Sequence, residues 1–129
     1  MKLTGEFEVK LETLDESLKS TPEFQTSRYA LRKTFHGDFR ATSVGEMMAA
    51  GSGSTNAGGY VAIDIVTAEL EGKKGSFLLM HFGTRTAKDQ RLTIEIVPSS
   101  GTGDLATITG SLGIRIEGGQ HFYEFDYSL

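Results

Sequence analysis

The chain has 129 residues and no cysteine, and 13 Lys plus Arg against 17 Asp plus Glu give a formal charge of −4. These numbers exclude a second domain, a disulfide framework, thiolate metal ligands and the basic footprint of a nucleic-acid binder. Glycine is in excess at 16 residues while proline is held to 2, a balance that favours tight turns and bends over disorder. The N-terminus runs straight into alternating charges with no apolar leader, and no apolar run approaches the ~20 residues of a membrane helix. A single cytoplasmic domain over residues 1–129, with no membrane span, is expected.

Phe7, Val9 and Leu11 alternate with Glu6, Glu8, Lys10 and Glu12, the period of a strand with one dry and one wet face. The alternation lapses from Leu14 to Gln25, where a connection with one helical turn before Pro22 is expected. It resumes at Ser27, Tyr29, Leu31, Lys33 and Phe35, turns at His36-Gly37-Asp38 and continues through Phe39, Ala41 and Ser43, a hairpin. No charge occurs between Glu46 and Asp64, and Gly51–Gly59 has the composition of a mobile loop. Tyr60–Leu70 then places Val61, Ile63 and Ile65 on one face and Tyr60, Ala62, Asp64, Val66 and Ala68 on the other, and composition leaves open which face is buried.

After a Glu71–Gly75 turn, Phe77–Phe82 is apolar on both faces, so its outer side requires a cover. Leu92, Ile94 and Ile96 form a further strand ended by Pro98. Thr102 is placed to cap a single helical turn that sets Leu105 and Ile108 to one side as a barrel plug. Leu112, Ile114 and Ile116, a Gly118-Gly119 turn, and Tyr123, Phe125 and Tyr127 close the chain. About eight short strands with almost no helix predict an all-β, antiparallel barrel, filled or just wide enough for one small ligand.

Lys33-x-Phe35-x-Gly37-Asp38, Ser43 and Glu46, Gly59-Tyr60, Gly72 with Gly75-Ser76-Phe77, His81-x-Gly83-Thr84, Val97-Pro98, Gly101-Thr102-Gly103-x-Leu105, and His121-x-Tyr123 with Tyr127 resemble an uncharacterised family of bacterial proteins. That family carries only an unknown-function label and is similar to the allene oxide cyclase type of barrel shared by dirigent proteins. The resemblance covers nearly the whole chain, with Ala41 and Val44 as mild departures. It implies an eight-stranded barrel and no established activity.

Two candidate catalytic residues stand out. Glu46 turned inward by a bulge at Gly45 would be a desolvated base; the alternative is a cross-strand ion pair with Arg28, which lies opposite if the hairpin pairs positions summing to about 74. His81 shares a face with Phe77 and Leu79 and is either ligand-facing or simply hydrogen-bonded in place. Tyr60, Phe77, Leu79, His81 and Tyr123 form the expected ligand-binding set, although the tyrosines also suit core packing. Arg85, Lys88 and Arg91 either meet an anion at the barrel mouth or remain solvated loop charges.

No metal is expected, since His36, His81 and His121 lack local ligand spacing. No cofactor is expected either: neither Gly51-Ser-Gly53 nor Gly101-Thr-Gly103 continues as a nucleotide-binding loop, and no Gly-x-Ser-x-Gly elbow occurs. The leading expectation is a barrel that binds a small apolar or amphipathic molecule. An isomerase or cyclase confining a lipid-like substrate through Glu46 or His81, and a packed barrel that forms a homodimer or higher oligomer, are the alternatives.

Overall fold

A computed structural model describes residues Met1–Leu129. Eight strands, β1 (Lys2–Leu14), β2 (Phe24–Phe35), β3 (Phe39–Ser52), β4 (Ala57–Leu70), β5 (Lys73–Arg85), β6 (Gln90–Ile96), β7 (Thr109–Glu117) and β8 (Gln120–Ser128), close into one barrel in chain order. Every neighbouring pair is antiparallel, and β1 returns to β8. The all-β, eight-stranded barrel expected from the alternation is what forms. Closure leaves no free sheet edge apart from the β6–β7 seam, which suits strands of such length.

Four local expectations are corrected. Residues 15–23 contain no helical turn; the chain crosses from β1 to β2 through bends. Gly51–Gly59 is mostly ladder, because β3 runs to Ser52 and β4 starts at Ala57, leaving a four-residue turn with Asn56 at positive φ. The β2–β3 hairpin pairs Phe35 with Ala41, so partners sum to 76; Glu46 faces Ala30, and Arg28 faces Met48. Thr102 precedes the 3-10 turn Gly103–Leu105 without capping it, since its hydroxyl bonds Ser76 instead.

The plug itself forms as expected. After β6 the chain continues along β5, with Val97 N donating to Leu78 O at 2.9 Å and Thr102 N to Ser76 O at 2.9 Å. It then drops Leu105 and Ile108, both buried, into the barrel end. This detour draws the chain away from β7: β6 and β7 share the single register pair Glu95 with Ser111, a seam in an otherwise continuous ladder. Gly75 makes the approach possible, because a Cβ there would strike the Thr102 carbonyl and Leu105.

Above the plug the interior is aromatic. Phe39 stacks on Phe125 with centroids 4.4 Å apart, and Phe35, Phe77 and Tyr123 surround the pair at 4.8–6.5 Å. The Tyr123 hydroxyl donates to His36 O at 2.6 Å and so fastens the β2–β3 turn, where Gly37 has φ of 95°. The other end is different. Leu11 and Ile116 extend inward-facing rows yet are 59% and 62% exposed, so the barrel is solid at the plugged end and open at the other.

A Gly75→Ala substitution is therefore expected to dislodge the plug and cost about 1–3 kcal/mol. Urea unfolding would read this as a lower midpoint, and an unchanged midpoint would show that the plug does not depend on the close approach.

Candidate functional site

Between the aromatic plug and the open mouth lies a buried polar cluster. Alternation along β2, β4 and β5 turns Lys33, Asp64 and His81 inward, and all three are buried. Asp64 Oδ2 accepts from Lys33 Nζ at 2.9 Å and from His81 Nε2 at 2.8 Å. Gly45 on β3, directly across from Asp64, gives the carboxylate its space: a Cβ at 45 would overlap Asp64 Oδ1. Oδ1 and the nearby Ser43 Oγ have no hydrogen-bond partner.

Burial by itself penalises the charged form of Asp64, but the His81 hydrogen bond and the Lys33 and His81 charges outweigh it and hold the carboxyl below its ordinary value of 3.8. The cluster is thus an anion clamped between two nitrogen donors. Such a group is costly to break, because either partner alone would be an uncompensated buried charge.

Above the cluster is a cavity of about 490 Å³ at the mouth. Its apolar wall is Tyr29, Met47, Tyr60 and Leu92, and its rim includes Ser27, Thr84, Gln90, Arg85 and Arg91. Tyr60 lies flat across Gly83, where any Cβ would collide with its ring. Burial, then the Asp64 charge, push the Tyr60 hydroxyl above its usual pKa, so it is a neutral donor at ordinary pH. Arg85 and Arg91 make no ion pair with the protein. Two cations free to meet a ligand thus stand at the mouth of a chain whose net charge is −4.

The structure distributes the expected site residues unevenly. Tyr60 lines the cavity. His81 does not line it: it is buried below the cavity, in register with Ala62 and Ile94, and is held by Asp64. Phe77, Leu79 and Tyr123 belong to the packed half and do not border the cavity. Glu46 is outside: β3 pairs without a bulge at Gly45, so Gly45 faces inward and Glu46 outward, 3.6 Å from Arg28 Nε. A base at Glu46 inside the barrel is therefore excluded by register. The ion-pair alternative holds, as a diagonal contact rather than the directly opposed one expected.

His36 reaches Glu8 at 3.8 Å and His121 packs edge-on against Phe7, so the three histidines do not converge. Sequence reading missed Asp64 and Lys33 as a pair and Tyr29 and Met47 as cavity wall. A signal existed for the first: each interrupts an apolar row with an opposite charge.

A barrel solid at one end, charged at its waist and open at the other defines a small eight-stranded β-barrel protein. The chain belongs to the DUF3224 family, a protein family of unknown function, which it matches over residues 3–127. It is similar to a crystal structure of a DUF3224 protein of unknown function from Shewanella oneidensis MR-1, with 44% identity and a TM-score of 0.94 across 100% of this chain and 97% of that one. No curated protein matches it. No helix is long and apolar enough to cross a membrane.

Two outcomes follow for the buried cluster. Asp64→Ala strands the Lys33 charge and is expected to cost about 3–5 kcal/mol, whereas a joint change of Lys33, Asp64 and His81 to apolar residues of matching volume should cost far less. A carboxyl whose pKa is lowered by folding adds stability above its unfolded value and loses it as the folded group protonates. Unfolding free energy should therefore fall as pH drops below 3.8, and this part of the fall should vanish in the apolar triple variant. Identical acid profiles for the two proteins would contradict the assignment.

Proposed function

We propose that this barrel binds a small amphipathic molecule with an anionic head, its apolar body against Tyr29, Met47, Tyr60 and Leu92 and its head at Arg85 and Arg91. One observation supports this above the rest: at the open end an apolar wall of Tyr29, Met47, Tyr60 and Leu92 borders the same cavity as Arg85 and Arg91, which make no ion pair with the protein. Apolar lining with a few placed polar groups is the usual make-up of a small-molecule site. A partly solvated guanidinium would orient a carboxylate or phosphate in two-point fashion. The expected cytoplasmic setting is compatible with such a ligand.

The test is thermal denaturation with medium-chain carboxylates, matched against the alcohol and the trimethylammonium of equal length. At a hundredfold excess over Kd, binding contributes about 2.7 kcal/mol, or roughly 8 °C for a domain of this size. The shift should appear with the carboxylate, weaken about tenfold in affinity with Arg91→Ala, and be absent with the ammonium compound. Equal shifts with all three heads would remove the arginines from the reading, and no shift with any would remove the ligand site.

One arrangement favours a second reading, proton-transfer catalysis of the isomerase or cyclase kind on the bound molecule, the use that an allene-oxide-cyclase-like barrel would suggest. Asp64 fixes the His81 ring through Nε2 at 2.8 Å, which leaves Nδ1 as the ring nitrogen outside that contact. A histidine oriented by a carboxylate is the usual form of a positioned base. In deuterated water, hydrogen exchange at C3 of 2-oxooctanoate should then be accelerated by the protein and return to the buffer rate in His81→Ala. Acceleration that survives this change would rule the dyad out.

A further inference from the structure

The outer wall of the barrel holds the chain's most unusual surface. Three adjacent strands present nine outward positions in register: Val44, Glu46 and Met48 on β3, Ile65, Ile63 and Val61 on β4, and Leu78, Met80 and Phe82 on β5. Eight of these are apolar. Ile63 is 52% exposed and Phe82 56%, and the whole block is contiguous, with a groove of about 460 Å³ running through it. The exposed apolar area is on the order of 600 Å², at or beyond the largest patch of an ordinary monomer. It approaches the ~800 Å² that each partner contributes to a standard interface.

The charges within and beside the block narrow the occupant. Glu46 is its one charged position; Arg28 and Arg32 on β2 and Glu95 on β6 flank it, two charges of each sign in all, so the surface has no net charge to attract a polyanion or polycation. Arg28 Nε is buried and makes no hydrogen bond, with Glu46 at 3.6 Å, beyond bonding distance. An interface that excludes water from Glu46 would draw this pair together. Near-absence of charge in a wide Val, Ile, Met and Phe surface is the composition of a homodimer core rather than of a transient, polar-rimmed contact.

We propose that the outer face of β3, β4 and β5 is the interface between two copies of this chain, related by a two-fold axis along β4. Two face-to-face arrangements are centred on Ile63. An axis across the strands sets Glu46 on its own copy, like against like inside an apolar contact, which costs several kcal/mol. An axis along β4 sets the β3 row of one copy on the β5 row of the other: Met48 meets Phe82, Val44 meets Leu78, and Glu46 meets Met80 while keeping its Arg28. In this arrangement Val61 and Ile65 each meet their own counterparts. The cavity mouth lies at the barrel end, clear of the contact, so both copies stay open to ligand.

Sedimentation velocity over a range of concentrations should show a species of twice the 14.0 kDa chain mass. Ile63→Lys, at an exposed position that leaves the core intact, should weaken association at least thirtyfold with an unchanged melting curve on the monomer. The absence of native cysteine makes crosslinking clean. Val61→Cys and Ile65→Cys should each form self-crosslinked dimers on mild oxidation, and Lys10→Cys on another wall should not. A concentration-independent monomer overturns the proposal, as does association that Ile63→Lys leaves intact. Monomer that instead sediments with phosphatidylglycerol vesicles through this face also overturns it, in favour of a lipid surface.

Discussion

The direction in which Asp64 points organises much of this protein. A strand has two faces and a period of two, so turning Asp64 into the barrel turns Val61, Ile63 and Ile65 out of it, one after another. Burying a carboxylate in place of three β-branched residues is favourable only if the carboxylate is fully matched. Lys33 and His81 supply the match from the neighbouring walls, and Gly45 supplies the volume.

The consequences run in both directions from that waist. Toward the plugged end, inward positions are aromatic or aliphatic and fill the space completely, helped by a segment that leaves the β6–β7 ladder to seal the bottom. Toward the mouth the same inward rows continue past the polar cluster with Tyr29, Met47, Tyr60 and Leu92, where nothing of the chain covers them. Outside, the displaced apolar face of β4 joins those of β3 and β5. The open cavity and the exposed apolar face are thus two results of one choice of face, and they lie on opposite faces of the same strands.

The Shewanella oneidensis structure has the same fold at 44% identity. The barrel depends on alternation, a feature that tolerates exchange among residues of similar shape. A buried ion cluster is less tolerant. Lys33 and Asp64 must be present together or absent together, because either alone is a destabilising buried charge.

Alternation, turn residues and the apolar plug were legible in the sequence because they are local: Phe7 to Leu11, Gly118-Gly119 and Leu105 with Ile108 announce their structure within a few residues. The hairpin register was missed by two because the His36–Asp38 turn is wider than its composition indicates, and Gly51–Gly59 was misread because glycines that relieve close strand contacts look like those of a loop. Locality also limits what alternation can say about β4. It separates Asp64 from Ile63 but is symmetric between inside and outside, and simple hydropathy favours the wrong side. Only closure of the barrel decides, since Lys33, 31 positions away, and His81, 17 away, reach Asp64 through pairing between strands. The sequence by itself determined that there would be a barrel of eight strands; the tertiary structure decided which face of each strand is the interior, because that depends on partners distant in the chain.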